Sequence, residues 1–325
     1  MRRRTALAFG GALLACPVLG RSQAAKQFRV GWLHSGKLKA AGRLLDAFVA
    51  GMRERGHVLG ESFVVDIRAA EGDPRRFAAL ARELVALRPD VLLGYETSAR
   101  AMAAETSTIP IVLATSIDPV AAGLVKSLAR SGTNVTGMVD QFDQLIAKHV
   151  ELLVELAPKA SRIAFLNDRF WSARDSYERF ARMAAASKGL EVTMASVGDA
   201  ADLQRVFAAF EKARPDGMIV AATAGAMALL LREIVDGARR MRLPAVYPVA
   251  FFPEGGGLLS YGPNLVENFR EAADFVARIF RGEKPADLPL RQTKKFYLLV
   301  NLKAASEIGV TIPRAILLRA DRVIE

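Results

Sequence analysis

Val91-Leu-Leu-Gly-Tyr-Glu-Thr-Ser98 and Ile111-Val-Leu-Ala-Thr-Ser-Ile-Asp-Pro119 each run from an apolar segment straight into hydroxyl and carboxylate side chains. Apolar runs without polar alternation suit parallel strands covered on both faces. In open parallel sheets, ligands gather beyond the carboxyl ends of the strands. The polar residues at these two ends are therefore the first candidates for a binding site.

Working outward, Phe28 to Leu33 reads as the first strand, and Leu44, Phe48 and Met52 recur every four residues as a helical stripe ending at Gly56. Phe63 to Ile67 follows as a strand, and Asp73-Pro74 opens a helix with a capping carboxylate before proline. Further helices are expected to start near Ser98 and Pro119. The pattern then begins again: helix 142–157, strand Arg162 to Leu166, helix 172–188 and strand Glu191 to Ala195. A helix from Asp199, with Leu203, Val206, Phe207 and Phe210 on one side, leads to strand Gly217 to Ala221, helix 225–240 and strand Ala245 to Val249. Two successive β-α series predict two doubly wound parallel-sheet α/β lobes. No long linker separates them, so short crossings are expected near 138–142, 258–262 and 290–296. One lobe then comprises 25–139 plus 262–292, the other 140–261 plus 293–325.

The first 24 residues have the form of a secretory signal peptide. Arg2, Arg3 and Arg4 precede an apolar run from Ala6 to Leu19, and Ser22-Gln23-Ala24 offers small residues before cleavage near Ala25. The run is shorter than the roughly 20 apolar residues that span a bilayer. Leu13-Leu14-Ala15-Cys16 offers an alternative site for a lipoprotein tether. Cys16 is the sole cysteine, so a chain cleavable near Ala25 is expected to lack disulfides and thiolate chemistry. Loss of Arg2, Arg3, Arg4 and Arg21 with the leader would lower the formal charge from +11 to +7. The remaining basic residues are scattered, which argues against a nucleic-acid partner.

The strand-end rule nominates His34 and Ser35, Tyr95 with Glu96, Thr97 and Ser98, and Thr115 with Ser116 and Asp118 in the first lobe. In the second it nominates Asn167 with Asp168, Thr223, and Phe251. Thr97 and Ser98 at a helix start suit an anionic ligand group such as a carboxylate. Asp118 suits a ligand ammonium, or merely caps the chain after it. Tyr95, Trp171 and Phe251 are candidates for apolar walls. Gly31 to Lys37 approaches a phosphate-binding loop, but Leu38 stands where a magnesium-holding hydroxyl is required. His34, His57 and His149 are too far apart in sequence for a two-histidine metal spacing, and no nucleophile elbow is present. No metal or cofactor is therefore expected, and binding is favoured over catalysis. A two-lobed hydrolase or isomerase and a sensor subunit for a membrane receptor are the alternatives.

Ser107-Thr-Ile-Pro-Ile-Val112, Asp118-Pro-Val-Ala-Ala-Gly-Leu-Val125 and Gly132-Thr-Asn-Val-Thr-Gly137 occur in order, followed by Gly255-Gly-Gly-Leu-Leu-Ser-Tyr-Gly-Pro263. Gly282-Glu-Lys-Pro-Ala-Asp-Leu-Pro289 and Arg319-Ala-Asp-Arg-Val-Ile-Glu325 complete the series. Together these segments resemble the ABC transporter substrate-binding proteins related to tryptophan- and tyrosine-binding members. The resemblance implies a type I periplasmic binding fold, a monomer in the periplasm, and delivery of a small molecule to a permease and its ATPase. The chain departs from the smaller neutral residues usual in that family at Tyr95-Glu96, where Glu96 adds a charge.

Overall fold

The computed structural model describes residues 26–140, 142–171, 174–221 and 226–325. The expected leader, Cys16 and Thr223 lie outside these residues. The chain begins with β1 (Phe28–His34), α1 (Gly42–Glu54), β2 (Phe63–Ala69), α2 (Phe77–Ala86), β3 (Val91–Tyr95), α3 (Glu96–Glu105), β4 (Ile111–Thr115) and β5 (Val135–Val139). Next come α4 (Phe142–Leu156), β6 (Arg162–Asp168), α5 (Arg174–Ala186), β7 (Glu191–Val197), α6 (Ala200–Lys212) and β8 (Gly217–Val220). They are followed by α7 (Ala226–Leu229), α8 (Leu231–Arg240), β9 (Ala245–Tyr247), α9 (Phe251–Glu254), β10 (Leu259–Pro263) and α10 (Leu265–Phe280). The chain closes with β11 (Arg291–Gln292), β12 (Phe296–Asn301), α11 (Leu302–Ile308), α12 (Arg314–Arg319) and β13 (Arg322–Ile324).

These strands form two sheets, ordered β11-β5-β4-β3-β1-β2 and β13-β12-β10-β9-β8-β6-β7. Every pair in the first is parallel. In the second, β12 runs antiparallel to β10, so the expectation of a wholly parallel sheet holds only up to β10. The antiparallel step follows from the route of the chain, which returns through β11 after α10 and enters the second sheet from its far edge.

Both sheets are covered on both faces, as their apolar strands require. In β1, Val30 and Trp32 pack towards α1 and α10 with Phe48 and Phe269, while Leu33 joins Leu84 and Met102 of the opposite layer. In β6, Ile163 and Phe165 pack with Leu153 of α4 and Tyr177 of α5; Ala164 and Leu166 face the layer holding Phe207 of α6 and Ile234 of α8. Helices α1 and α10 approach so closely at Gly51 that a Cβ there would lie 2.3 Å from the Arg270 carbonyl oxygen. Any side chain would push them apart.

Two helical expectations change. No helix follows Pro119: Asp118 Oδ1 accepts from Ala121 N at 2.9 Å, and Gly123 at φ 71° closes a turn instead. The helix expected over 225–240 is two pieces, α7 and α8, broken at Leu230. By contrast, Asp199 caps α6 through Asp202 N at 2.8 Å, as its position before an amphipathic stripe predicts. The chain passes between the sheets from β5 to α4, from β10 to α10, and from β11 to β12.

Candidate ligand-binding site

The carboxyl ends of both sets of parallel strands face one cavity of about 550 Å³ between the sheets. That volume lies within the range of small-molecule pockets. On the first-lobe side, the wall consists of His34 and Ser35 at the end of β1, Tyr95 to Thr97 at the end of β3, Thr115 to Ile117 at the end of β4, and Asp140 just after β5. On the second-lobe side it consists of Leu145, Ile146 and His149 of α4, with Trp171, Tyr177, Leu231, Arg232, Phe251 and Phe252. The i, i+1, i+4 spacing on α4 turns one helical face to the cavity.

Ser35, Glu96, Thr97, Thr115 and Ser116 on the first-lobe side and Phe251 on the second-lobe side, all nominated from sequence, therefore line one cavity. Ser98, Asp118, Asn167 and Asp168 do not line it. Ser98 returns its hydroxyl to its own turn, accepting from Tyr95 N at 2.9 Å and donating to Tyr95 O at 3.0 Å. Asp118 caps the Ala121 turn. Asn167 is wholly buried between partners, donating to Glu178 at 3.0 Å and accepting from Ser196 at 2.6 Å. Each is a short polar side chain at a strand end, but its hydrogen bonds are spent on local structure.

Glu96 braces the first-lobe wall. Its Oε2 accepts from Ser116 Oγ at 2.7 Å, Ile117 N at 2.8 Å and Asp118 N at 3.0 Å, tying the start of α3 to the loop after β4. Asp140, not nominated from sequence, is the second buried carboxylate of the wall. Its Oδ2 accepts from Thr115 Oγ1 at 2.5 Å and its Oδ1 from Thr293 Oγ1 at 2.7 Å. Asn268 Nδ2 donates to Thr293 Oγ1 at 3.5 Å. Burial pushes the Asp140 carboxyl above the usual range, the negative charge of Glu96 adds to the rise, and the hydroxyl donors oppose it. The sequence signal for Asp140 was its place directly after an apolar strand, obscured because the same residues form a crossing.

Histidines stand in both walls. Burial lowers His34 to about 4, partly countered by the nearby Glu71 charge and by the Lys37 backbone, and its ring nitrogens are closed off from solvent. The hydroxyl of Ser35 is likewise buried and unpartnered. His149 is lowered to about 4 by burial, partly countered by its hydrogen bond to the Tyr261 carbonyl. Both rings are neutral at pH 7. Three or more His, Cys, Asp or Glu side chains grouped as for a metal ion do not occur among the described residues.

At the mouth, the lobes touch. Arg43 of α1 pairs with Glu254 of α9 at 2.9 Å, and Glu254 also pairs with Arg322 at 2.8 Å. Gly72, at φ 73°, lies under Leu229: a Cβ there would stand 1.9 Å from Leu229 Cγ.

A family model described as ABC transporter substrate binding protein matches residues 39–324. A tyrosine-binding protein of Clostridioides difficile (strain R20291) is 34% identical over 120 residues, covering 37% of this chain and 34% of that protein's own length. A solved structure of a conserved domain protein from Vibrio cholerae is 29% identical with TM-score 0.85, covering 92% of this chain and 100% of the other. An ABC domain from Streptococcus pneumoniae in complex with L-Trp is 24% identical with TM-score 0.85, again covering 92% and 100%, and bears on the fold alone. Two α/β lobes thus enclose a ligand-sized cavity at their strand ends in the manner of type I periplasmic binding proteins, and the chain belongs to the ABC transporter substrate-binding protein family.

Proposed function

We propose that this protein is an exported, monomeric binding subunit that captures an amino acid with a bulky apolar side chain, without turning it over, and hands it to a permease driven by an ATPase. Residues 1–24 act as the leader, with a tether at Cys16 as the alternative, and the protein works in the periplasm. The lobes are 25–139 plus 262–292 and 140–261 plus 293–325, and they close over the ligand.

The observation that carries this reading is the division of the cavity into a polar wall with buried carboxylates and an opposite wall that, apart from His149 and Arg232, is aromatic and aliphatic. A zwitterion with an apolar body matches both. Asp140 is the partner for the ammonium, because its carboxylate lies in the wall and Asp118 is turned away to its own cap. An incoming positive charge favours the ionised form that burial disfavours. The carboxylate goes to Thr97 in the first turn of α3, at the other end of the same wall. Glu96, Thr115 and Ser116 hold this wall in shape, and Phe251 closes on the ligand's apolar body from the second lobe. The tyrosine-binding relative supports the choice of an amino acid.

Native mass spectrometry of protein recovered from the periplasm tests the reading, combined with calorimetry of the ligand-free protein. One amino acid per chain, recovered chemically unchanged, is expected, with a negative heat-capacity change from buried apolar surface. Conversion of the ligand, or binding of sugars to the exclusion of amino acids, would refute it.

A further inference from the structure

We propose that Arg43 is a positioning residue that fastens the closed lobes: its guanidinium crosses the mouth of the cavity, pairs with Glu254 and steadies the Phe251 ring. This rests on the reading of the two lobes as closing over a ligand, and it names the contact that keeps them closed.

One short helix of the second lobe receives the arginine. Phe251 and Glu254 stand three residues apart in α9, so their side chains share one side of it. Arg43 Nη1 lies 2.9 Å from Glu254 Oε2, and Arg43 Cζ lies 5.7 Å from the centre of the Phe251 ring. A guanidinium at that distance over an aromatic face is held by the ring quadrupole. Arg43 and Phe251 both line the cavity. A single side chain of the first lobe therefore grips a charged group and a wall residue of the second.

The receiving side is built in advance. Glu254 Oε1 accepts from Arg322 Nη1 of β13 at 2.8 Å, and Asn301, buried at the end of β12, donates from Nδ2 to the Pro253 carbonyl at 2.9 Å. Both bonds lie within the second lobe, so they hold α9 in place whether or not the lobes meet. Arg43 keeps 62% of its side-chain surface exposed against 21% for Glu254. The arginine is the arm that swings, and the carboxylate is the fixed catch. Among the described residues, Arg43–Glu254 is the one ion pair that joins the first lobe to the second. Arg55, Arg270 and Arg291 pair within the first, and Arg239, Arg319 and Arg322 within the second. An exposed pair contributes little alone. Here the ion pair and the ring contact belong to the same guanidinium and are lost together when the lobes part. Their contribution falls on the closed state, and so on ligand release and not on encounter.

Stopped-flow binding of L-tyrosine and L-tryptophan to wild type, Arg43→Gln, Arg43→Lys and the double variant Arg43→Gln/Glu254→Gln tests this. Arg43→Gln is expected to speed release about three- to tenfold and to leave the association rate within about twofold. Arg43→Lys keeps the charge and should recover part of the loss. Adding Glu254→Gln to Arg43→Gln should change release by less than about twofold, because the carboxylate acts through the arginine. Added salt should speed release from wild type more than from Arg43→Gln, since the ligand carries no net charge and buried pairs are screened less. A second measurement needs no ligand: single-molecule energy transfer between dyes on Ala50→Cys of α1 and Glu211→Cys of α6. Closed intervals should be three- to tenfold shorter when Arg43→Gln is added, by the same factor as release. Release and closed intervals that are unchanged in Arg43→Gln, or equally salt-dependent release in both proteins, would overturn the role of Arg43 and leave the amino-acid reading intact. Failure of both amino acids to bind would overturn that reading, and the closed intervals would then decide the role of Arg43 by themselves.

Discussion

On its first-lobe side the cavity is bounded by loops that leave parallel strands, and these carry Ser35, Thr97, Thr115, Ser116, Glu96 and Asp140. On its second-lobe side it is bounded by one face of α4 and by aromatic residues beyond β6 and β9. Strand ends converge many short polar groups on one point, because each loop starts from a fixed register. A helix face offers larger side chains at wider spacing, which suits apolar contact. The first wall can therefore orient a charged end before closure. The second mainly contributes buried area, at roughly 25 cal/mol per Å² of apolar surface removed from water. On the proposed function, orientation and closing energy would come from different lobes.

The largest expected effect tests what the two walls share, a buried neutral histidine. His34 and His149 sit at about 4 in the folded protein against an ordinary 6.5, so the fold favours their neutral forms. The stability this confers is complete above about pH 6.5 and is lost as pH falls towards 4, about 3 kcal/mol for each ring. Asp140, raised in the fold, works the other way and softens the loss. Denaturant titrations between pH 7 and 4 should show the decline, and replacing either histidine with glutamine should flatten it by that ring's share. An unchanged slope in both variants would mean the walls are wetter than the burial of these rings indicates.

Next in size is Asp140→Asn, which strikes the polar wall alone. The amide can accept from one threonine hydroxyl and donate to the other, so its bonds to Thr115 and Thr293 persist in number. Loss of the charge should weaken amino-acid binding by about 1.5–3 kcal/mol, roughly 10- to 150-fold. The melting temperature of the ligand-free protein should stay level or rise, because the cost of burying a carboxylate is gone. Affinity unaffected by the change would move the ammonium elsewhere.

Gly72→Leu separates the walls without altering either. It meets Leu229 and forces a left-handed backbone on a branched residue. We expect roughly tenfold weaker binding, about 1.4 kcal/mol, and partial recovery when Leu229→Ala is added, read as coupling in a double-mutant cycle. Additive effects would show that the contact at the mouth does not limit closure. The smallest effect belongs to Asp118→Asn, where the amide keeps the cap. Binding should change less than twofold, below about 0.5 kcal/mol, and isothermal titration can resolve a larger change if Asp118 does meet the ligand.

The two α/β series were legible because buried parallel strands such as Val91 to Leu93 and Ile163 to Leu166 are continuous apolar runs between amphipathic helices. The strand-end rule reached Ser35, Thr97, Thr115 and Ser116 for the same reason. It failed where local chemistry competes. Asp118, Ser98 and Asn167 occupy the same kind of position, but whether a short polar side chain turns to a ligand or to its own backbone depends on atoms distant in sequence. Pro119 suits a helix start, yet the turn closed by Gly123 ends it at once. Asp140 sits in a crossing, and its threonine partners are 25 and 153 residues away, a pairing no local pattern contains. His149 was readable as a helical residue; its tautomer required the Tyr261 carbonyl.

Asp140 opens the first crossing, Thr293 lies in the third, and Asn268, which reaches Thr293, sits in the first turn of the helix that follows the second. The carboxylate in the cavity wall is thus bonded into the crossings that join the two sheets. On the proposed function, lobes that turn about these crossings would strain the Asp140–Thr293 bond and change how much water reaches the carboxylate. Admitted water would restore the competition for a ligand ammonium that burial removes. Residence time would then be governed at the axle as much as at the gate: opening the lobes would weaken the grip on the cargo through the same motion that uncovers it.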